Sequence, residues 1–184
     1  MKMSNKSDTN LYEMLEKICL SEKEEQELKK YVESKGMIFI SAPFSFAAVD
    51  RLERMDIKAY KVSSAVMNNY PLLEYVASKK KPIILSTGMN DIESVRKAVK
   101  TIEKYHSNYA LLHCTNIYPT PADKIRLNAM KELKETFPNS VIGLSDHSLN
   151  NYSSYAALAL GASIIERHFI DDKRRKGHDV EWSM

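Results

Sequence analysis

The chain has 184 residues, with 27 Lys and Arg against 24 Asp and Glu for a formal net charge of +3, and 43% of it is hydrophobic. At roughly 100–200 residues per domain this supplies one globular domain with a sizeable core, and five Gly and six Pro are too few for a collagen-like or disordered chain. No apolar run of about 18 residues is present to span a bilayer, and the polar stretch Met1 to Asn10 is unlike a signal peptide, so a cytoplasmic location is expected.

After that polar leader, expected to be disordered over 1–10, a helix is predicted from about Ser21 to Ser34. Ser21 stands three residues before Glu24, the spacing of a capping box, and Gly36 ends the helix. Six short apolar, β-branched runs follow and read as buried strands: Met37–Ile40, Ala59–Val62, Pro82–Leu85, Tyr109–Leu112, Val141–Leu144 and Ser163–Glu166. The stretches between them carry helical periodicity. Ile92, Val95, Val99 and Ile102 recur at three and four residues, and Leu127, Met130 and Leu133 do so before Pro138. Cys19 and Cys114 show no paired spacing, so reduced thiols are expected and neither a disulfide framework nor a structural zinc site. The densest basic stretch, Lys173 to Lys176, directly follows Asp171 and Asp172, which argues against a nucleic-acid partner.

Strand, helix and strand at this spacing make βαβ units, hence an α/β protein with a parallel sheet covered by helices. An open doubly wound sheet and a (β/α) barrel both satisfy the pattern. Ser41-Ala42-Pro43-Phe44 follows the first strand where a dinucleotide fold places its glycine-rich turn, which favours the barrel. A complete (β/α)8 TIM-type barrel needs eight strands and about 250 residues, so six strands mean either an incomplete barrel or an open sheet.

Nearly every predicted strand ends in polar residues: Ser41; Lys61 with Ser63 and Ser64; Ser86 and Thr87; His113 to Asn116; Ser145, Asp146 and His147; Glu166 and His168. In a (β/α) barrel these ends converge on one face, where active sites form. Ser86 and Thr87 are equally readable as N-caps of the following helix and are set aside. Lys61 lies within an apolar strand and must snorkel or meet an anion, a phosphate or carboxylate, with Ser64 and Ser145 as further donors. His147 and His168 end what would be adjacent strands, about 4.8 Å apart, and could share one divalent metal completed by water; His113 reads as structural, and His106 and His178 carry no signal.

The segments Tyr60-Lys61-Val62-Ser63-Ser64, Ile84 to Met89, Leu112-His113-Cys114-Thr115-Asn116-Ile117-Tyr118-Pro119-Thr120-Pro121, Gly143 to His147 and Ile165 to Phe169 resemble the N-acetylneuraminate (sialic acid) synthase family, over about Leu11 to the C-terminus. The resemblance implies a barrel whose third to eighth strands are the six seen here. The implied reaction condenses phosphoenolpyruvate with an N-acylated hexosamine, N-acetylmannosamine in the namesake case, to a nine-carbon 2-keto sugar acid and phosphate; related members make legionaminic or pseudaminic acids. A divalent metal, Mn2+ or Mg2+, polarises the open-chain aldehyde. By motif, Lys61, Ser64, Asn116 and Ser145 hold phosphoenolpyruvate, Tyr118 and Asp179 contact the amino sugar, and His147 and His168 bind the metal, with Lys61 and the two histidines as the catalytic set.

This sequence departs from the family where Ala42 replaces a usual Thr, and at Val66, near which an acidic residue is usual. Two N-terminal strands and a C-terminal antifreeze-like domain are expected to be absent. The family is homodimeric, and this chain is expected to self-associate or to need a polypeptide that supplies the missing strands. A non-catalytic truncated remnant or split-gene subunit that keeps metal and phosphoenolpyruvate binding is the alternative to a working synthase.

Overall fold

The computed structural model describes residues 16, 18–175, 177 and 179–184. The expected leader and His178 lie outside the described residues. The described chain forms two units, one ending at Phe39 and one from Ile40 to Met184.

The first unit holds α1 (Glu22–Ser34), and its capping box is formed as the sequence predicts. The Ser21 side chain accepts from the Glu24 backbone N–H at 3.3 Å, while the Glu24 carboxylate accepts from the Ser21 N–H at 2.8 Å. These bonds satisfy backbone donors that the first helical turn leaves orphaned. Gly36 follows with φ 74°, a left-handed conformation that costs glycine nothing.

The second unit runs α2 (Phe46–Arg54), β1 (Tyr60–Val62), α3 (Tyr70–Ser78), β2 (Ile83–Ser86), α4 (Ile92–Glu103), β3 (Tyr109–Cys114), a 3-10 turn (Ala122–Lys124), α5 (Asn128–Thr136), β4 (Val141–Asp146), α6 (Tyr152–Ala159) and β5 (Ile164–Arg167). All four strand pairings are parallel, in the order β1-β2-β3-β4-β5. A doubly wound sheet reverses its strand order at a switch point. This one never does, so the architecture is an incomplete (β/α) barrel.

Of the six predicted strands, Met37–Ile40 does not form one. Only the next residue pairs, in a single parallel bridge between Ser41 and Tyr60, with the Lys61 N–H donating to the Ser41 carbonyl at 3.2 Å. The residues of the β1 side that would extend the ladder backward are taken up by the turn leaving α2: the Asp56 and Ile57 N–H groups donate to the Glu53 and Leu52 carbonyls. An apolar run is necessary for a strand, but it needs free backbone beside it.

One face of the sheet carries the helices. Tyr60, Val62, Leu85, Leu111, Ile142 and Leu144 are buried there, facing Val95, Val99 and Ile102 of the predicted α4 stripe and Met130 and Leu133 of α5. Each such side chain contributes about 1.5–3 kcal/mol by leaving water. Because strand residues alternate between faces, this packing commits the intervening positions to the other side. No helix among the described residues is long and apolar enough to cross a membrane, and both Cys19 and Cys114 are free thiols.

Candidate functional site

The helix-free face carries the chemistry. Register matches Cys114 with Ser145 and Ser145 with Glu166, while Ser86 lies opposite Leu112, two residues before Cys114. These four residues and Lys61 of β1 therefore share one face near the C-terminal strand ends. Two residues further along each chain, Asn116, His147 and His168 form a second tier. A cleft of about 320 Å3 runs over both tiers and is lined by Lys61, Ser64, Asn116, Tyr118, Ser145 and the two histidines, among others. A narrower pocket of about 160 Å3 is lined by Ser145, His147, Glu166, Arg167 and His168. A larger groove, about 700 Å3, opens on the helix side between α4 and α5 and shares only Cys114 and Asn116 with the cleft.

Lys61 does not snorkel. Its side chain is 14% exposed, and its ammonium donates to Ser86 Oγ at 2.8 Å and to the Val62 carbonyl at 3.3 Å, with Glu166 Oε1 at 3.5 Å. Burial lowers its pKa from the ordinary lysine value, and the Glu166 carboxylate opposes that shift. Glu166 Oε1 also accepts the Ser145 hydroxyl proton at 2.7 Å. Ser64 Oγ accepts from the Gly88 N–H at 3.0 Å. A Cβ at Gly88 would lie 1.9 Å from Asn116 Oδ1 and 2.9 Å from Ser64 Oγ, so any larger residue would displace both side chains. Two predicted ligand-binding side chains thus converge on a backbone that has no side chain of its own.

The two imidazoles face each other with ring centroids 5.4 Å apart. His147 is buried, and its Nδ1–H donates to the Thr115 carbonyl at 2.9 Å, which leaves the Nε2 lone pair unengaged by that bond. Burial lowers its pKa, with the neighbouring His168 acting in the same direction. His168 Nδ1 lies 3.5 Å from Asp179 Oδ2, and Asp179 Oδ1 accepts from Trp182 Nε1 at 3.2 Å. Asp179 returns to the site because the chain folds back after β5: the Met184 N–H donates to the His168 carbonyl and the Ile170 N–H to that of Met184. Tyr118 stacks on His147 at 4.0 Å and meets His168 edge-on at 5.7 Å; burial is the main cause pushing its phenol up to about 12.

Behind the histidines, on the helix face, Asp146 and Arg167 are register partners. Asp146 accepts from Ser153 Oγ at 2.5 Å, Ser154 Oγ at 2.9 Å and the Ser148 N–H at 2.9 Å, with Arg167 Nη1 3.7 Å away. These hydrogen bonds hold the carboxyl below the usual aspartate range against a desolvation cost that acts the other way. Arg167 also donates to the carbonyls of Ser148 and Asn150, closing the loop that leaves His147.

A family model described as NeuB family matches residues 1–184. The chain belongs to the NeuB family. An uncharacterised protein of Methanocaldococcus jannaschii is 45% identical over 96% of this chain and 52% of its own length. The N,N'-diacetyllegionaminic acid synthase of Campylobacter jejuni is 37% identical over 97% and 54%. The crystal structure of N-acetylneuraminic acid synthetase from Leptospira borgpetersenii in complex with citrate superimposes with a TM-score of 0.89 at 31% identity, covering 93% of this chain and 60% of that one. This NeuB chain spans about half the length of the curated relatives it matches.

The structure brings Lys61, Ser64, Asn116, Tyr118, Ser145, His147 and His168 to one cleft, with Asp179 at its histidine end. His113 stands apart, donating from Nε2 to the Ile125 carbonyl at 2.6 Å, the structural part read for it in the sequence. Ser86 was set aside as a helix cap, yet the cap of α4 is Asp91 and the Ser86 hydroxyl receives Lys61. Glu166 has a larger share in the site than its strand-end position suggested. What could have flagged both is strand parity: each falls on the same face as a residue already singled out.

Proposed function

We propose that this NeuB-family domain binds phosphoenolpyruvate and a divalent cation for condensation with an N-acylated hexosamine, giving a nine-carbon 2-keto sugar acid and phosphate. The reading is carried by one observation: a buried ammonium with hydroxyl neighbours shares a cleft with two facing imidazoles. Lys61, Ser64, Asn116 and Ser145 receive the phosphate and carboxylate of the three-carbon donor. Ser64 accepts from Gly88, and its hydroxyl proton faces the Cys114 sulfur at the edge of the cleft. Tyr118 and Asp179 border the space for the amino sugar beside the histidines.

The donor set fits Mn2+ or Mg2+ held by His147 and His168 with waters. The Thr115 carbonyl fixes the His147 tautomer, and the Asp179 carboxylate stands behind His168 as an outer partner that orients a ligating ring. Among the described residues no group of three or more His, Cys, Asp or Glu converges, so a cation held by the two imidazoles would draw its remaining ligands from water or substrate. When bound, the metal supplies Lewis-acid polarisation of the sugar aldehyde. Tyr118 shields one face of His147 from solvent by stacking on it.

Ala42 and Val66 favour a second reading, a non-catalytic subunit that retains metal and phosphoenolpyruvate binding. Glu166 is the only carboxylate lining the cleft among the described residues, with Asp179 at its histidine end, and Val66 itself offers no acidic group. Losing a general acid or base costs about 10²–10⁴ in rate.

Calorimetric titration with Mn2+, then phosphoenolpyruvate, followed by a phosphate-release assay with N-acetylmannosamine, tests both readings. Binding with release supports the synthase, binding without release supports the subunit, and no binding overturns both. Either His147→Ala or His168→Ala is expected to abolish Mn2+ binding while the circular dichroism spectrum and urea midpoint stay near those of the parent; unchanged metal affinity in either variant removes the metal assignment.

A further inference from the structure

Glu166 is turned toward the two groups that the proposed function reserves for the ligand. A serine hydroxyl has one proton, and Ser145 gives its proton to Glu166 Oε1 at 2.7 Å. While it does so it offers an incoming anion only lone pairs. An ammonium has three protons, and Lys61 faces three oxygens of its own chain: Ser86 Oγ at 2.8 Å, the Val62 carbonyl at 3.3 Å and Glu166 Oε1 at 3.5 Å. The Lys61 and Ser145 donors are therefore engaged, and one carboxylate oxygen accepts the Ser145 hydrogen bond while facing the Lys61 ammonium.

We propose that Glu166 is an internal counter-anion, which occupies the anion subsite of the cleft and must release Lys61 and Ser145 when a phosphate- or carboxylate-bearing ligand enters. The proposal rests on the reading of the cleft as a phosphoenolpyruvate site. An unpartnered buried ammonium is costly, and Glu166 stands 3.5 Å from Lys61 as its negative partner. The Glu166 side chain is 38% exposed against 14% for Lys61, which gives it somewhere to go. It also lines the narrower histidine pocket, so a rotation that frees Lys61 keeps its charge inside the site. Binding is an exchange of one anion for another, and its net strength is reduced by whatever Glu166 gives up.

The exchange predicts a gain of affinity on mutation, an effect that structural damage does not produce. Phosphoenolpyruvate is titrated at saturating Mn2+ into the parent chain and into Glu166→Gln, which keeps the shape and removes the charge. The expected result is about tenfold tighter binding in the variant, the scale of removing one like charge at close range. Glu166→Asp, whose shorter side chain cannot reach both donors, is expected to fall between the two and serves if the glutamine variant folds poorly. Adding Ser145→Ala to Glu166→Gln should reduce the gain, because part of it runs through the freed hydroxyl. Binding by the parent with equal or weaker binding by Glu166→Gln and Glu166→Asp overturns the counter-anion and leaves the phosphoenolpyruvate reading intact. No binding by any chain overturns both.

Discussion

β3 and β5 sit in the same sheet, yet every residue of β3 is buried and every residue of β5 is only partly so. β3 has a strand on each side and a covered helix face; β5 has β4 on one side alone. The helices follow the same gradient. α4 buries five of its residues, whereas α6 leaves Tyr152, Tyr155 and Leu158 facing outward. The candidate metal pair bridges these two regimes, since His147 follows β4 and His168 follows β5. Local opening free energies track buried contacts, so the His168 end of the site is expected to open first, as faster amide hydrogen exchange in β5 than in β3.

What ties β5 down is polar. Arg167 reaches Asp146 and the loop carbonyls behind the sheet, and removing one partner of a buried pair leaves the other charge stranded. Arg167→Met is therefore expected to lower the unfolding free energy by about 3–5 kcal/mol, measured by urea denaturation; a loss as small as that of a surface substitution would mean that β5 is held by its backbone ladder alone. In the middle of the sheet the corresponding lesion is a cavity. Leu111→Ala is expected to cost about 2–5 kcal/mol, and a smaller loss would show that α4 and α5 collapse into the space.

A pH titration separates the two regions less sharply. Burial lowers the pKa of both His113 and His147, so the folded chain refuses protons that the unfolded chain accepts near pH 6.5. That stability is full above the unfolded value and is lost as pH falls below it toward the folded pKa values. Metal-free chain is expected to lose stability between pH 7 and 5, and a flat profile would place both imidazoles in contact with solvent. The lowered pKa of Asp146 adds a further loss only below the ordinary aspartate range. At the bottom of the scale, Leu158→Ala on the open face of α6 should change stability by no more than about 0.5 kcal/mol. A loss comparable to that of Leu111→Ala would mean that this face is covered in solution.

The sequence pattern anticipates β1 to β5 because apolar β-branched runs at βαβ spacing have few other uses. It errs at Met37–Ile40, where the run is equally apolar but the chain opposite is bent into the exit turn of α2. The polar strand ends and the histidine pair were legible because position along a strand decides which end of the sheet a residue occupies. The web joining Lys61, Ser86, Ser145 and Glu166 was not, since its members lie 21 and 25 residues apart in sequence and meet only through register. The pairing of Asp146 with Arg167 escaped notice for the same reason: Asp146 is one more polar strand end and Arg167 an ordinary charged neighbour of a histidine until the strands are aligned.

Trp182, the only tryptophan in the chain, lies 5.9 Å from the Tyr118 ring, which in turn rests on His147. The domain therefore carries its own optical probe. Any event that shifts Tyr118 or the Asp179 carboxylate alters the surroundings of a single indole, and its emission, excited at wavelengths where the ten tyrosines do not absorb, reports on the histidine end of the cleft.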